Sequence, residues 1–142
     1  MKSDPSLPPD GPARLAHREL TGKLLKIFLE VYNELGAGFL ESVYAQAYAT
    51  MRRSSGISFE RELPLIVRFR GAPVGVCKPD FVVERSVVIE CKCAARLDAA
   101  HRAQLVNYLR ATDLEVGLLL NFGPSAEFKR VISTNRPRSR AP

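Results

Sequence analysis

Apolar residues first recur at helical spacing between Leu15 and Leu35, at Leu20, Leu24, Ile27, Phe28, Val31 and Leu35. That is the i, i+3, i+4, i+7 pattern of a helix with one buried face. Gly36 and Gly38 end it. A second helix is predicted from Leu40 to Arg53, with Val43, Ala47 and Met51 on one face and Ser54-Ser55-Gly56 as its stop. Three strand candidates follow. "FERELPLIVRFR" (Phe59–Arg70) is the first, with a bend expected at Pro64. "VGVCKPDFVVE" (Val74–Glu84) comes after a Gly71-Ala72-Pro73 turn, and "VVIECKCA" (Val87–Ala94) after Arg85-Ser86. Leu97–Thr112 reads as a helix with Asp98 as its N-cap. "EVGLLLNFG" (Glu115–Gly123) is nearly all apolar, as a strand buried on both faces should be, and "EFKRVIST" (Glu127–Thr134) reads as an edge strand. The order α-α-β-β-β-α-β-β implies an α/β (α+β) fold, one mixed sheet with helices packed on it.

Charge interrupts the second and third strands at Asp80, Glu90 and Lys92. If their connecting turn is the three residues Glu84–Ser86, Val83 faces Val87 and Asp80 faces Glu90. Directly opposed residues share a sheet face with Cβ atoms about 4.5–5.5 Å apart, and Lys92, two residues on from Glu90, shares that face as well. A two-residue turn would instead send Asp80 to the other side. Opposed carboxylates repel, so something must offset them. A divalent cation would, since carboxylates on neighbouring strands hold Mg²⁺ while it keeps waters and phosphate oxygens; a salt bridge to Lys92 would too. Val82, Val83, Val87, Val88 and Ile89 make both faces apolar, which favours a partly buried site over a solvated patch.

Three helical features join this set. Glu41 opens the second helix, where the helix dipole also favours an acid. Gln104 and Tyr108 stand at i and i+4 on one face of the later helix, as long neutral hydrogen-bonding groups able to orient a carboxylate or hold a substrate backbone. His101 lies one turn before Gln104, either as a partner or as a solvated residue.

The 142 residues fit one domain, expected to span residues 15–134 between a proline-rich lead (1–14) and a basic tail (135–142). A net charge of +6 favours polyanionic partners, although Arg136, Arg138 and Arg140 of the tail supply half of it. No apolar run approaches the ~20 residues of a membrane helix, so no membrane partner is expected. The N-terminus carries no signal-like apolar stretch, and a cytoplasmic location is expected. Three cysteines, Cys77, Cys91 and Cys93, fit no disulfide framework and no closed zinc spacing.

The stretch "GFLESVY" (Gly38–Tyr44) is G-x-x-E-x-x-Y; Pro79-Asp80 followed by Glu90-Cys91-Lys92 is PD…ExK; and "QLVNY" (Gln104–Tyr108) is Q-x-x-x-Y. In this order they resemble the GxxExxY protein family, placed within the PD-(D/E)XK nuclease superfamily. The resemblance runs from about Leu20 to Thr134. It implies a restriction-endonuclease-like αβββαβ core around a mixed central sheet and metal-dependent hydrolysis of phosphodiester bonds in DNA or RNA. It also implies that Asp80, Glu90 and Glu41 are catalytic acids binding Mg²⁺ or Mn²⁺ and that Lys92 is the catalytic lysine. Gln104 and Tyr108 would support the site or the nucleic acid, with Tyr44 and His101 as further supporting residues. The rival reading is a non-catalytic nucleic-acid-binding or protein-interaction module that retains the fold.

Overall fold

A computed structural model describes residues 12–133, with side chains from residue 17 onward. The first helix, α1 (Pro12–Leu35), starts before the expected boundary at Leu15. Proline suits a first helical position, where the N–H it lacks would have no intrahelical partner. The rest of the predicted lead, and the tail, lie outside the described residues. Leu24, Ile27, Phe28 and Val31 are buried along one stripe of α1, as their spacing predicts. The helix ends where the Gly36 N–H bonds to the Tyr32 carbonyl and Gly36 turns to a φ of +71°. The second predicted helix is divided into α2 (Glu41–Thr50) and a single turn, α3 (Arg52–Ser55), with Gly56 closing the latter in the left-handed region.

The strand region is more divided than its hydrophobic pattern suggests. The predicted Phe59–Arg70 strand is two strands, β1 (Phe59–Arg61) and β2 (Leu65–Phe69), and they belong to different sheets. The predicted Val74–Glu84 strand likewise divides into β3 (Ala72–Cys77) and β4 (Phe81–Val83). Prolines mark both breaks. Pro64 comes two residues after Glu62, whose φ is +50°, and Pro79 precedes Asp80; a proline cannot donate to a ladder and restricts the residue before it. The chain therefore leaves the main sheet after Arg61, makes the antiparallel β2–β3 hairpin, and returns at Asp80.

The main sheet is completed by β5 (Val87–Lys92), β6 (Val116–Phe122) and β7 (Ala126–Ile132), in the order β1-β4-β5-β6-β7. The β5–β6 pair is parallel and the other three pairs are antiparallel. The crossover between β5 and β6 is α4 (Ala99–Ala111), as a parallel pair requires. This is the mixed sheet flanked by helices that the motif order implies, with β1, β4, β5, α4 and β6 as its βββαβ portion. All seven residues of β6 are buried, and β7 forms an edge, both as expected.

Alternating residues feed two cores. Phe81, Val87, Ile89 and Cys91 pack with Leu24, Phe28, Tyr44 and Tyr48 of α1 and α2. Val88 and Leu119 pack with Leu105 and Leu109 of α4. Since successive strand residues point to opposite faces, α2 and α4 cover opposite sides of the sheet. Among the described residues, no helix is long and apolar enough to cross a membrane.

Candidate active site

The β4–β5 connection is the three-residue turn Glu84–Ser86, closed by the Ser86 N–H on the Val83 carbonyl. Val83 pairs with Val87, Val82 with Val88 and Phe81 with Ile89. Asp80, one residue before β4, therefore comes opposite Glu90 on the α4 side. The two are tied through the backbone. The Asp80 N–H donates to Glu90 Oε1 at 2.8 Å, and the Cys91 N–H donates to Asp80 Oδ2 at 2.7 Å. Glu90 is only 7% exposed, and Asp80 is half-buried.

Lys92 completes this face. Its Nζ lies 3.7 Å from Glu90 Oε2 and donates to Gln104 Oε1 at 3.1 Å. Gln104 Nε2 in turn donates to the Tyr108 hydroxyl at 3.1 Å. Carboxylate, ammonium, amide and phenol thus form one chain from β5 to α4. Asp98 caps α4 by accepting the His101 N–H, and the His101 ring accepts the Asp98 N–H. The His101 side chain is therefore engaged in starting the helix that carries Gln104.

Glu41 reaches the same cleft by another route. Its helix packs on the opposite sheet face, but Glu41 is that helix's first residue and lies where β5 ends. The Cys93 backbone N–H, Asp80 and Lys92 all lie within electrostatic reach of its carboxylate. Tyr44 is wholly buried. Its hydroxyl donates to the Gly36 carbonyl and accepts the Phe39 N–H, and its ring stacks on Phe122. Tyr44 thus braces the turn leading into Glu41, a turn in which Gly38 holds a φ of +111°.

The electrostatics follow from burial. Desolvation pushes the Glu90 carboxyl up to about 7, and the neighbouring Asp80 charge adds to the shift. Burial raises Asp80 as well, against the pull of the Cys91 N–H, Lys92 and Arg61. Burial and Asp80 raise Glu41. The Cys91 thiol, sealed in the α1/α2 core, is pushed well above its ordinary range by burial and so stays protonated.

The donor chemistry suits a hard divalent cation. Asp80 and Glu90 each commit one oxygen to a backbone N–H, leaving Asp80 Oδ1 and Glu90 Oε2 as acceptors without one. No group of three His, Cys, Asp or Glu side chains is close enough to enclose an ion among the described residues. Mg²⁺, however, is commonly held by one or two carboxylates, keeping waters and substrate oxygens for the rest of its shell. A two-carboxylate site with raised proton affinities fits that pattern.

Two contributors were not singled out in the sequence. Arg61, paired with Phe81 and with its guanidinium over the Phe81 ring, is the nearby cation that acts on Asp80 together with Lys92; it precedes Glu62, whose N–H bonds to the Asp80 carbonyl. Buried Asn121, opposite Lys92 on β6, grips both the N–H and the carbonyl of Ala94. It fixes the chain just beyond Lys92, and a polar residue inside an apolar strand was its signal.

Among solved structures, that of SSO0001 is similar at 18% identity over 83% of this chain and 68% of its own, with a TM-score of 0.46. No curated protein matches the chain. The family model of the PD-(D/E)XK nuclease superfamily matches residues 18–131 and includes every candidate residue above. The chain belongs to the PD-(D/E)XK nuclease superfamily.

Proposed function

We propose that the protein is a metal-dependent nuclease of the GxxExxY kind, hydrolysing phosphodiester bonds in nucleic acid. The observation that carries this reading is the backbone-tied Asp80–Glu90 pair with Lys92 beside it. Asp80 and Glu90 would hold Mg²⁺ or Mn²⁺ through their outward oxygens. When bound, such an ion supplies an activated water and neutralises charge on the scissile phosphate.

The protein's own groups do the positioning. Lys92 offers a compact positive charge to a phosphate oxygen or to the attacking water. Gln104 Oε1 accepts a hydrogen bond from the Lys92 ammonium and so aims it, and Tyr108 holds the Gln104 amide from the next turn. Glu41 brings a third carboxylate to the mouth of the site, beside the Cys93 N–H. Tyr44 acts through Glu41 as a positioning residue.

The test is incubation of the full chain with mixed DNA and RNA in Mg²⁺ or Mn²⁺, beside an EDTA control and a Lys92→Ala variant. Cleavage that needs the metal and is lost in the variant is expected. A wild-type protein that binds nucleic acid but never cleaves it would replace this reading with a non-catalytic binding module.

A further inference from the structure

The β2–β3 hairpin has no place in the chemistry above, yet it carries four of the large apolar side chains the molecule leaves exposed. Ile66 is 45% exposed, Phe69 62%, Val74 60% and Val76 60%. The hairpin is not part of the main sheet. Leu65 and Cys77 oppose each other on its half-buried face, and β2 packs against α4. Ile66 and Val76 oppose each other on the other, outward face. At the tip Arg70 and Gly71 both have positive φ, the geometry of a tight two-residue turn. There the Arg70 guanidinium lies 5.2 Å from the Phe69 ring centroid, and Arg68 bonds to the Gly71 carbonyl.

Charge and position limit what covers this arm. Residues 63–79 contain Arg68, Arg70 and Lys78 and no acid, a local excess of +3. Two copies of so basic a ribbon would repel each other, whereas phosphates would not. The arm also starts at the candidate site, since β3 ends at Cys77 and Asp80 follows three residues later. A two-stranded ribbon is one of the two elements that the major groove of a duplex admits.

We propose that the β2–β3 hairpin is a duplex-gripping arm, with Arg68 and Arg70 on phosphates and its outward apolar face against the groove, holding double-stranded nucleic acid across the Asp80–Glu90 site. This rests on the nuclease reading for its substrate class and deepens it. Arg68 and Arg70 supply affinity through the backbone, which is sequence-independent and salt-sensitive. Ile66, Val74 and Val76 supply contacts to sugars and base edges that a charged ribbon alone would lack.

The experiment measures binding of a fluorescent DNA duplex to the full chain in EDTA across a salt series, so that catalysis plays no part. Wild type is compared with Arg68→Ala/Arg70→Ala and with Ile66→Ser/Val76→Ser, each checked for an unchanged thermal midpoint. The double arginine variant is expected to weaken binding and to flatten the slope of log affinity against log salt by about two, one per lost phosphate contact. The serine variant is expected to weaken binding with the slope kept. Variants that bind the duplex as wild type does would overturn the proposal, as would a wild type with no affinity for duplex. Sedimentation showing a wild-type dimer that Ile66→Ser/Val76→Ser dissociates, with duplex affinity unchanged, would assign the arm to a second copy instead. Metal-dependent cleavage is scored separately. Its absence would remove the nuclease reading while the binding comparison still decides the arm.

Discussion

The Asp80 N–H donates to Glu90 Oε1 while the Asp80 carboxylate accepts from the next residue along, Cys91. Two acids that repel are thereby held together by main chain in a buried setting, and burial, with their repulsion added, displaces the proton equilibrium of Glu90. Glu90 titrates in the folded protein at about 7, against an ordinary 4.5. Between those values the folded state keeps a proton that the unfolded chain has released. The sign is therefore a stability contribution that is full below 4.5 and lost as pH rises to about 7. Without divalent metal, the thermal midpoint should fall across that window, and Glu90→Gln should flatten the fall. Midpoints measured from pH 4 to 8 on both proteins check this; parallel curves would refute it.

Mg²⁺ should reverse part of that loss. An ion bound by Asp80 and Glu90 favours their ionised, folded form. The Mg²⁺-induced rise in midpoint should be larger at pH 8 than at pH 5. Asp80→Asn should shrink it while the fold persists, since an amide oxygen can still accept the Cys91 N–H. Thermal melts of both proteins with and without Mg²⁺ decide the point.

Lys92→Ala should behave differently. Lysine is no ligand for Mg²⁺, so the metal response should survive. Nuclease activity should fall by about 10²-fold or more, the scale of losing one group that stabilises charge in a transition state. Gln104→Ala should fall by less, because it removes only the group that aims the Lys92 ammonium. Initial cleavage rates under one set of conditions give the ranking, and equal losses would show that Gln104 does more than aim.

Tyr44→Phe removes one hydroxyl and leaves two buried-side partners unmet, the Gly36 carbonyl and the Phe39 N–H. A cost of about 1–3 kcal/mol is expected from unfolding in urea. Activity should drop further than stability explains, because the turn that presents Glu41 loosens. A variant that loses stability alone would confine Tyr44 to the fold.

Gly123→Ala tests the close approach of the chain at Gly123 to Ala94. A Cβ on Gly123 would come 2.1 Å from the Ala94 carbonyl oxygen, which is backbone and held by Asn121. A loss of about 1–3 kcal/mol is expected. At Gly117 the three atoms nearest a new methyl all belong to the Leu105 side chain rather than to backbone, so Gly117→Ala should cost less. Chemical denaturation of the two variants side by side measures the difference.

Period-2 alternation is a local rule, and through it the sequence by itself determined that Glu90 and Lys92 share a face and that a three-residue turn would bring Asp80 opposite Glu90. That the turn is the three residues Glu84–Ser86 was decided in the folded structure. The same locality made α1, the α4 cap at Asp98 and the buried β6 legible. It did not make legible that Phe59–Arg70 and Val74–Glu84 each contain two strands. The apolar pattern runs on through Leu63, Leu65 and Val67, and only the geometry around Pro64 and Pro79 diverts that chain into a separate hairpin. Nor could periodicity show that α2 and α4 cover opposite sheet faces. A helix's stripe says that it packs, not on which side. Glu41 reaches the cleft because it heads its helix at the end of β5, and Gln104 meets Lys92 because α4, packed mainly on β6 and β7, also reaches β5. Those meetings join residues from different elements, twelve positions apart for Lys92 and Gln104 and far more for Glu41 and Asp80, and they exist only once the sheet has set where each helix ends.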